Sequence, residues 1–384
     1  MNRLALIIAL LVVAAGATGA WLWYATTKPY QGFASEGVFV TVPRGASSRG
    51  VAHILEQNGV IRSSLAFELY ARRHSRRTLQ AGEYFFEKPI TGRDVFWKLA
   101  KGQVYVIPFT VREGETIYDI AHDLQTAHFL PADDFLKAAS DPILVRDLSP
   151  HALTLEGFLF PATYQLTRHP IATELTAMMV KKFKEEWLRI SPAASGAGDP
   201  AGLASGIPVA SVVTMASLVE RETPKPDERP LVAGVFENRL REDMRLQCDP
   251  TVIYALQQEG RYEGTLTGAD LQVDSPYNTY THPGLPPGPI GNPGEISLRA
   301  ALQPAHTDYL YFVANTQGGH FFGATLAEHN RNVTKYRRLL AGLPADPPPP
   351  PPKSKPKPTT KTVSKKKAIT KKQSHGNSHK STSG

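Results

Sequence analysis

Two carboxylic acids stand at the end of a nearly apolar run. From Ile207 to Val219 the only polar residues are Ser211, Thr214 and Ser217, and Glu220-Arg221-Glu222-Thr223 follows directly. Pro208 suits a first helical turn and Thr223-Pro224 a terminus, which predicts a core helix with acids in its last turn. Glu220 falls on the face of Val213, Ala216 and Ser217. Burial and the negative end of the helix dipole both disfavour ionisation there and raise the pKa. A carboxylic acid kept protonated near neutral pH is what general-acid cleavage of a glycosidic bond requires. A solvated charge, or a pair with Arg221, is the competing reading.

Other segments could supply partners for such an acid. Glu156 heads Gly157-Phe158-Leu159-Phe160-Pro161-Ala162-Thr163-Tyr164, which reads as a strand with aromatic rings. Asp249 stands before Pro250 and an apolar run, where its simplest role is a helix N-cap. Tyr277-Asn278-Thr279-Tyr280 and Gly284-Leu285-Pro286-Pro287-Gly288-Pro289-Ile290 form a long loop of rings, amides and turn residues. Such a loop can stack on sugar faces and hydrogen-bond their hydroxyls, or simply turn.

Several chemistries are absent from the pattern. His320 and His329 lack the spacing of a helix-borne zinc pair, and no glycine-rich nucleotide or phosphate loop occurs. No Gly-x-Ser-x-Gly elbow marks a serine hydrolase. The single cysteine, Cys248, excludes a disulfide framework and reads as inert. Neither a cofactor nor a metal is expected.

These residues need a scaffold, and 384 residues with 41% hydrophobic content are enough for one. The net charge of +8 is misleading, because ten lysines and no acid lie between Lys353 and Gly384. The other 352 residues carry 33 basic and 35 acidic side chains. The six prolines Pro347–Pro352 form a stiff spacer before this tail, which cannot bury a core. The tail is read as solvated, or as an electrostatic contact with an anionic lipid or wall surface. At the other end, Leu4 to Tyr24 is an uncharged run that spans roughly 31 Å as a helix, about a bilayer core. It ends in Trp21, Trp23 and Tyr24. Its length and bulky end favour a retained anchor over a cleaved signal peptide. Arg3 then stays in the cytoplasm, the remainder faces outward, and nucleic acid is not a partner.

An internal repeat follows the anchor. Thr41, Val42, Gly45, Ala52, His53 and Leu55 recur 69 positions later as Thr110, Val111, Gly114, Ala121, His122 and Leu124. Each copy predicts a strand, a tight glycine turn and an amphipathic helix in which the histidine packs. Helices over Ser64–Arg73 and about Arg93–Lys101, capped by Thr91, flank a strand near Ala81–Phe86. The second copy resembles the opening of LysM modules, which bind glycans containing N-acetylglucosamine.

Taken in order, Leu218–Thr223, Arg245–Tyr254, Tyr277–Tyr280, Gly284–Gly288 and Tyr311–Ala314 resemble the endolytic murein transglycosylase (YceG-like) family, over roughly residues 28–340. The resemblance implies an α+β protein. A short end (1–3) and an anchor (4–24) precede a linker (25–36) and a small LysM-like module (37–108). A larger catalytic domain (109–343) opens with the second repeat (109–130); the disordered tail (344–384), read from its composition, lies outside the resemblance. The resemblance also implies non-hydrolytic cleavage of peptidoglycan strands at the inner membrane, beside wall synthases. Glu220 is then the catalytic glutamate. Glu156, Glu222, Gln247, Asp249, Tyr254, Tyr277, Asn278 and Tyr280 bind substrate or support it. The family's Gln-Thr-Asp-Pro reads Gln247-Cys248-Asp249-Pro250 here. A muramidase that uses water, with Asp249 as partner of Glu220, and a glycan-binding scaffold are the alternatives.

Overall fold

The computed structural model describes residues 3–191 and 208–345; the tail beyond 345 lies outside the described residues. Helix α1 (Arg3–Thr27) is apolar on all sides, and the rest of the chain leaves its apolar stretch uncovered. It is long and apolar enough to cross a membrane. Residues 25–36, expected as a linker, are tied down instead. Ala25 and Thr26 are buried, Tyr30 forms a bridge with Ile90, and the Gly32 N–H donates to the Gly59 carbonyl at 2.8 Å.

The first repeat builds β1 (Val38–Val42), α2 (Ser48–Gln57), α3 (Ser64–Arg73) and β2 (Gly82–Phe86), followed by α4 (Gly92–Ala100). Strands β1 and β2 pair antiparallel with Val40 opposite Tyr84. Ser47, Ser63 and Thr91 cap the three helices with their hydroxyls, satisfying amides that the helix itself cannot. Val40, Val51, Leu55, Phe67, Tyr84, Phe96 and Leu99 close a core of their own.

The second repeat has the same order: β3 (Ile107–Thr110), α5 (Ile117–Thr126), α6 (Ala132–Ala139) and β4 (Thr163–Leu166). Here too the outer strands pair antiparallel, with Phe109 opposite Tyr164. The unit therefore runs well past the 109–130 expected for it. The strand expected from Glu156 begins only at Thr163. Gly157 is left-handed (φ 84°), and the chain turns through Phe158–Ala162 before it can pair. His53 and His122 are exposed, so the histidines shared by the repeat do not pack. In each amphipathic helix the buried stripe runs through the neighbouring positions, Val51, Ala52 and Leu55 or Ile120, Ala121 and Leu124.

Helix α7 (Ala172–Ile190) leads to α8 (Val209–Glu222), the predicted core helix. Then come α9 (Arg229–Arg241), α10 (Asp249–Gln258), α11 (Glu295–Leu302), the hairpin β5 (Tyr311–Ala314) and β6 (His320–Gly323), and α12 (Leu326–Leu340). Helix α8 is the spine of this part. Val212, Val213 and Ala216 join a core shared with the second repeat and α7. Met215, Leu218 and Val219 join a second core with α9, α10 and the Tyr277 loop. A helix apolar all round is buried all round because it has two cores to fill.

Candidate active site

The acids in the last turn of α8 face different neighbours. Two residues along a helix is about 200° around it, so Glu220 and Glu222 point to opposite sides. Glu220 points toward the glycine turn of the second repeat. One carboxylate oxygen accepts from Arg229 Nη2 at 2.6 Å and the other from the Gly294 N–H at 2.9 Å. Its side chain is 4% exposed, and Arg229 reaches across to Glu113 at 3.3 Å. Burial raises the Glu220 pKa, and the Gly294 amide and the Arg229 guanidinium hold it back. An open polar cleft of about 410 Å³ lies over this group, lined by Arg112, Glu113, Asp119, His122, Asp123 and Arg221 among others.

Glu222 is half-buried on the other side. Burial pushes its carboxyl up to about 7; the Cys248 thiol donates to it, Asp249 adds to the rise and Arg239 opposes it. Asp249 does not cap α10: Cys248 occupies the N-cap position and Asp249 is the first helical residue. Its exposed carboxylate instead accepts the Tyr280 hydroxyl. Asp249 is thus neighbour to Glu222, whereas the muramidase alternative paired it with Glu220. The turn before α10 is held to the Tyr277 loop by a small ladder. The Cys248 N–H donates to Thr279 Oγ1 at 3.0 Å, Thr251 and Thr279 hydroxyls meet at 3.0 Å, and the Gln247 N–H donates to the Thr279 carbonyl at 3.2 Å. Gln247, left-handed at φ 49°, and Arg245 are exposed beside Asp249.

Glu156 belongs to neither face. Only 2% exposed, it accepts from the Ile117 N–H and from Asn292 Nδ2, both at 3.0 Å, and from the Tyr254 hydroxyl. Burial drives its pKa to about 8. Four residues expected to bind substrate or support it are therefore interior. Glu156, Tyr254 and Tyr277 form one buried group, with the two rings 5.0 Å apart. Asn278 is fully buried and staples its own loop, donating to the Leu271 and Val273 carbonyls and accepting from the Tyr280 N–H.

A family model described as YceG-like matches residues 40–335. The chain belongs to the YceG-like family. A Bacillus subtilis protein named endolytic murein transglycosylase is 34% identical over 332 residues, covering 80% of this chain and 87% of that protein. A protein of the same name from Streptococcus pneumoniae is 30% identical, and the match covers 78% of this chain and 58% of that longer protein. The crystal structure of a YceG-like protein from Listeria monocytogenes is 35% identical, with a TM-score of 0.51 over 78% of this chain and 99% of that one.

In this YceG-like chain Asp249 and Tyr280 stand beside Glu222 rather than Glu220. Gln247, Asp249 and Tyr280 reach the surface there, whereas Glu220 is locked by groups that the motifs do not contain. Arg229, Asn292 and Gly294 were not anticipated. Arg229 reads as one more charge before a proline, and Asn292-Pro293-Gly294 as an ordinary turn. Among the described residues, no group of three or more His, Cys, Asp or Glu could hold a metal ion.

Proposed function

We propose that the protein is a membrane-anchored endolytic peptidoglycan transglycosylase, held by α1 at the inner membrane with its remaining domains on the outer side. It would cut the bond between N-acetylmuramic acid and N-acetylglucosamine within nascent strands and so end their elongation beside the wall synthases. The glutamate we assign as the acid is Glu222. The observation that carries this choice is a half-buried carboxyl with a pKa of about 7, beside the exposed Asp249 carboxylate and the Tyr280 hydroxyl. Glu220 suits the role less well, since a guanidinium and an amide already hold both of its oxygens.

Protonated Glu222 gives its proton to the glycosidic oxygen as the bond to C1 of the muramic acid breaks, and positive charge develops at C1. The Asp249 carboxylate stabilises that charge, with Tyr280 fixing its orientation. The sugar's own C6 hydroxyl then attacks C1, and its proton passes to Glu222. The acid is restored and a 1,6-anhydro end is left. No water is consumed. The βααβ order of both repeats supports a LysM-like role in holding strands, with module boundaries near 37–108 and 109–343.

Asp249 beside Glu222 also favours a second reading, in which Asp249 directs water to C1 as a muramidase partner. The mass of the products separates the two, because an anhydro end is one water lighter. The decisive experiment digests purified glycan strands with Glu222→Gln and Glu220→Gln variants, using thermal melting as the folding control. Glu222→Gln is expected to fold and to lose ~10²–10⁴-fold in cleavage. Glu220→Gln is expected to lose roughly 2–4 kcal/mol of stability, since it leaves Arg229 buried with a weaker partner, and to keep cleaving while folded. The reverse pattern would transfer the acid to Glu220. Because the acid must be protonated, kcat for the parent is expected to fall as pH rises through about 7. A profile flat to pH 9 would exclude Glu222.

A further inference from the structure

Helix α1 does not end in a tether. Its last turn docks on α3 and α4, with Thr26 buried and its Cα 3.4 Å from where a side chain on Gly92 would begin. Arg62, immediately before the α3 cap, lies over the rings of Tyr24 (4.9 Å) and Tyr30 (4.6 Å) and donates to the Pro29 carbonyl. The start of α3 is thereby held level with Tyr24, where the exposed rings of Trp21 and Trp23 also lie.

The outward face of α3 matches that position. Leu65 is 55% and Leu69 41% exposed, one helical turn apart. Arg73 ends the same face, and the turn that follows the helix carries Arg76 and Arg77, all exposed. From Arg62 to Arg77 there are five arginines and one acid, Glu68, which already pairs with Arg72 at 2.7 Å. A single exposed leucine needs no explanation. Two on one face, leading into arginines and abutting the exit of an apolar helix, make the apolar-basic pattern of a helix lying in a membrane interface.

We propose that this face of α3 and the turn after it, with Leu65, Leu69, Arg73, Arg76 and Arg77, rest on the anionic lipid surface in which α1 is anchored. The inference rests on the reading of α1 as an anchor. The leucines enter the boundary between head groups and acyl chains, and the arginines contact lipid phosphates. The first repeat is then held at a fixed angle to the bilayer, and the catalytic part is set at a constant height over nascent strands.

The test uses the full chain in vesicles of phosphatidylcholine, alone or mixed with phosphatidylglycerol. Leu65→Cys and Leu69→Cys carry an environment-sensitive dye, and Leu326→Cys, 57% exposed in α12, is the control. Cys248 is buried and stays unlabelled. Quenching by spin-labelled lipid is expected at 65 and 69, at least about twofold above the control and at the shallow depth of an interfacial helix. It is expected to strengthen with phosphatidylglycerol and to weaken with salt or with Arg73, Arg76 and Arg77 all changed to Glu. Alkaline extraction reads the anchor separately. A chain that resists extraction while 65 and 69 quench no more than 326 overturns the proposal and leaves the anchor standing. A chain that extracts yet still quenches at 65 and 69 supports the lipid face and removes the anchor.

Discussion

The two repeats share a frame and differ in what surrounds it. Gly45 and Gly114 occupy the same turn, with φ of 78° and 81°. A side chain on Gly45 would meet nothing within 4 Å, whereas one on Gly114 would lie 3.4 Å from Glu220 Cγ and Arg221 Cδ. The first copy joins its second helix to its closing strand through residues 74–81. The second does so through 140–162, and that detour carries Glu156 into the interior. Similar local sequence therefore yields similar supersecondary structure, and the long insertion makes one copy a wall of the catalytic part. The copy without it closes on its own core beside α1.

Removing Asn292 tests that wall most severely. Asn292 is fully buried, accepts from the Leu159 N–H, and donates to the Glu115 carbonyl and to Glu156. Asn292→Ala strands all three groups and is expected to cost roughly 3–5 kcal/mol. In the first copy Asn58 donates only to the Ile54 carbonyl, at a helix end, so Asn58→Ala is expected to cost about 1 kcal/mol or less. Equal losses in chemical denaturation would erase the distinction between the copies.

Glu156 sharpens it through pH. In the folded protein this carboxyl holds its proton up to about pH 8, against an ordinary value of 4.5. The folded state binds that proton more tightly, so stability falls as pH rises from about 4.5 to about 8 and levels off above. Glu156→Gln, which mimics the protonated form, is expected to remove this part of the slope in melting curves taken across that range. An unchanged slope would show that Glu156 does not titrate as a buried acid.

The smallest effect is at the two glycine turns. Gly45→Ala and Gly114→Ala each force a side chain into a left-handed turn and are expected to cost about 1 kcal/mol alike. Neither is expected to slow glycan cleavage, because the methyl on Gly114 reaches only ordinary contact with Glu220 and Arg221, on the side of α8 away from Glu222. A matched loss of activity in both variants, measured on folded protein, would mean that the first copy also contacts the reacting strand.

Much of the scaffold was legible in the residues. Ser64–Arg73 and the Thr91 cap follow from local propensity, and the apolar run before Glu220 is a helix whose period and end are written nearby. The strand expected at Glu156 failed at Gly157, since alternation says nothing about a left-handed glycine that turns the chain first. Asp249 missed its cap by one residue, a distance that decides whether a carboxylate meets a helix end or a tyrosine.

The sites divide in the same way. Acids with raised pKa values at the end of α8 could be read from the chain, because burial of an apolar helix is a property of its own composition. Which acid an arginine holds and which lies beside Asp249 could not. Glu220 meets Gly294 from 74 positions away and Glu222 meets Cys248 from a different loop, and a 200° step around one helix sends them to different neighbours. Local pattern sets where a helix lies and what it buries. The partners that tune each carboxyl arrive from distant segments, and only the packing of those segments decides what each carboxyl meets.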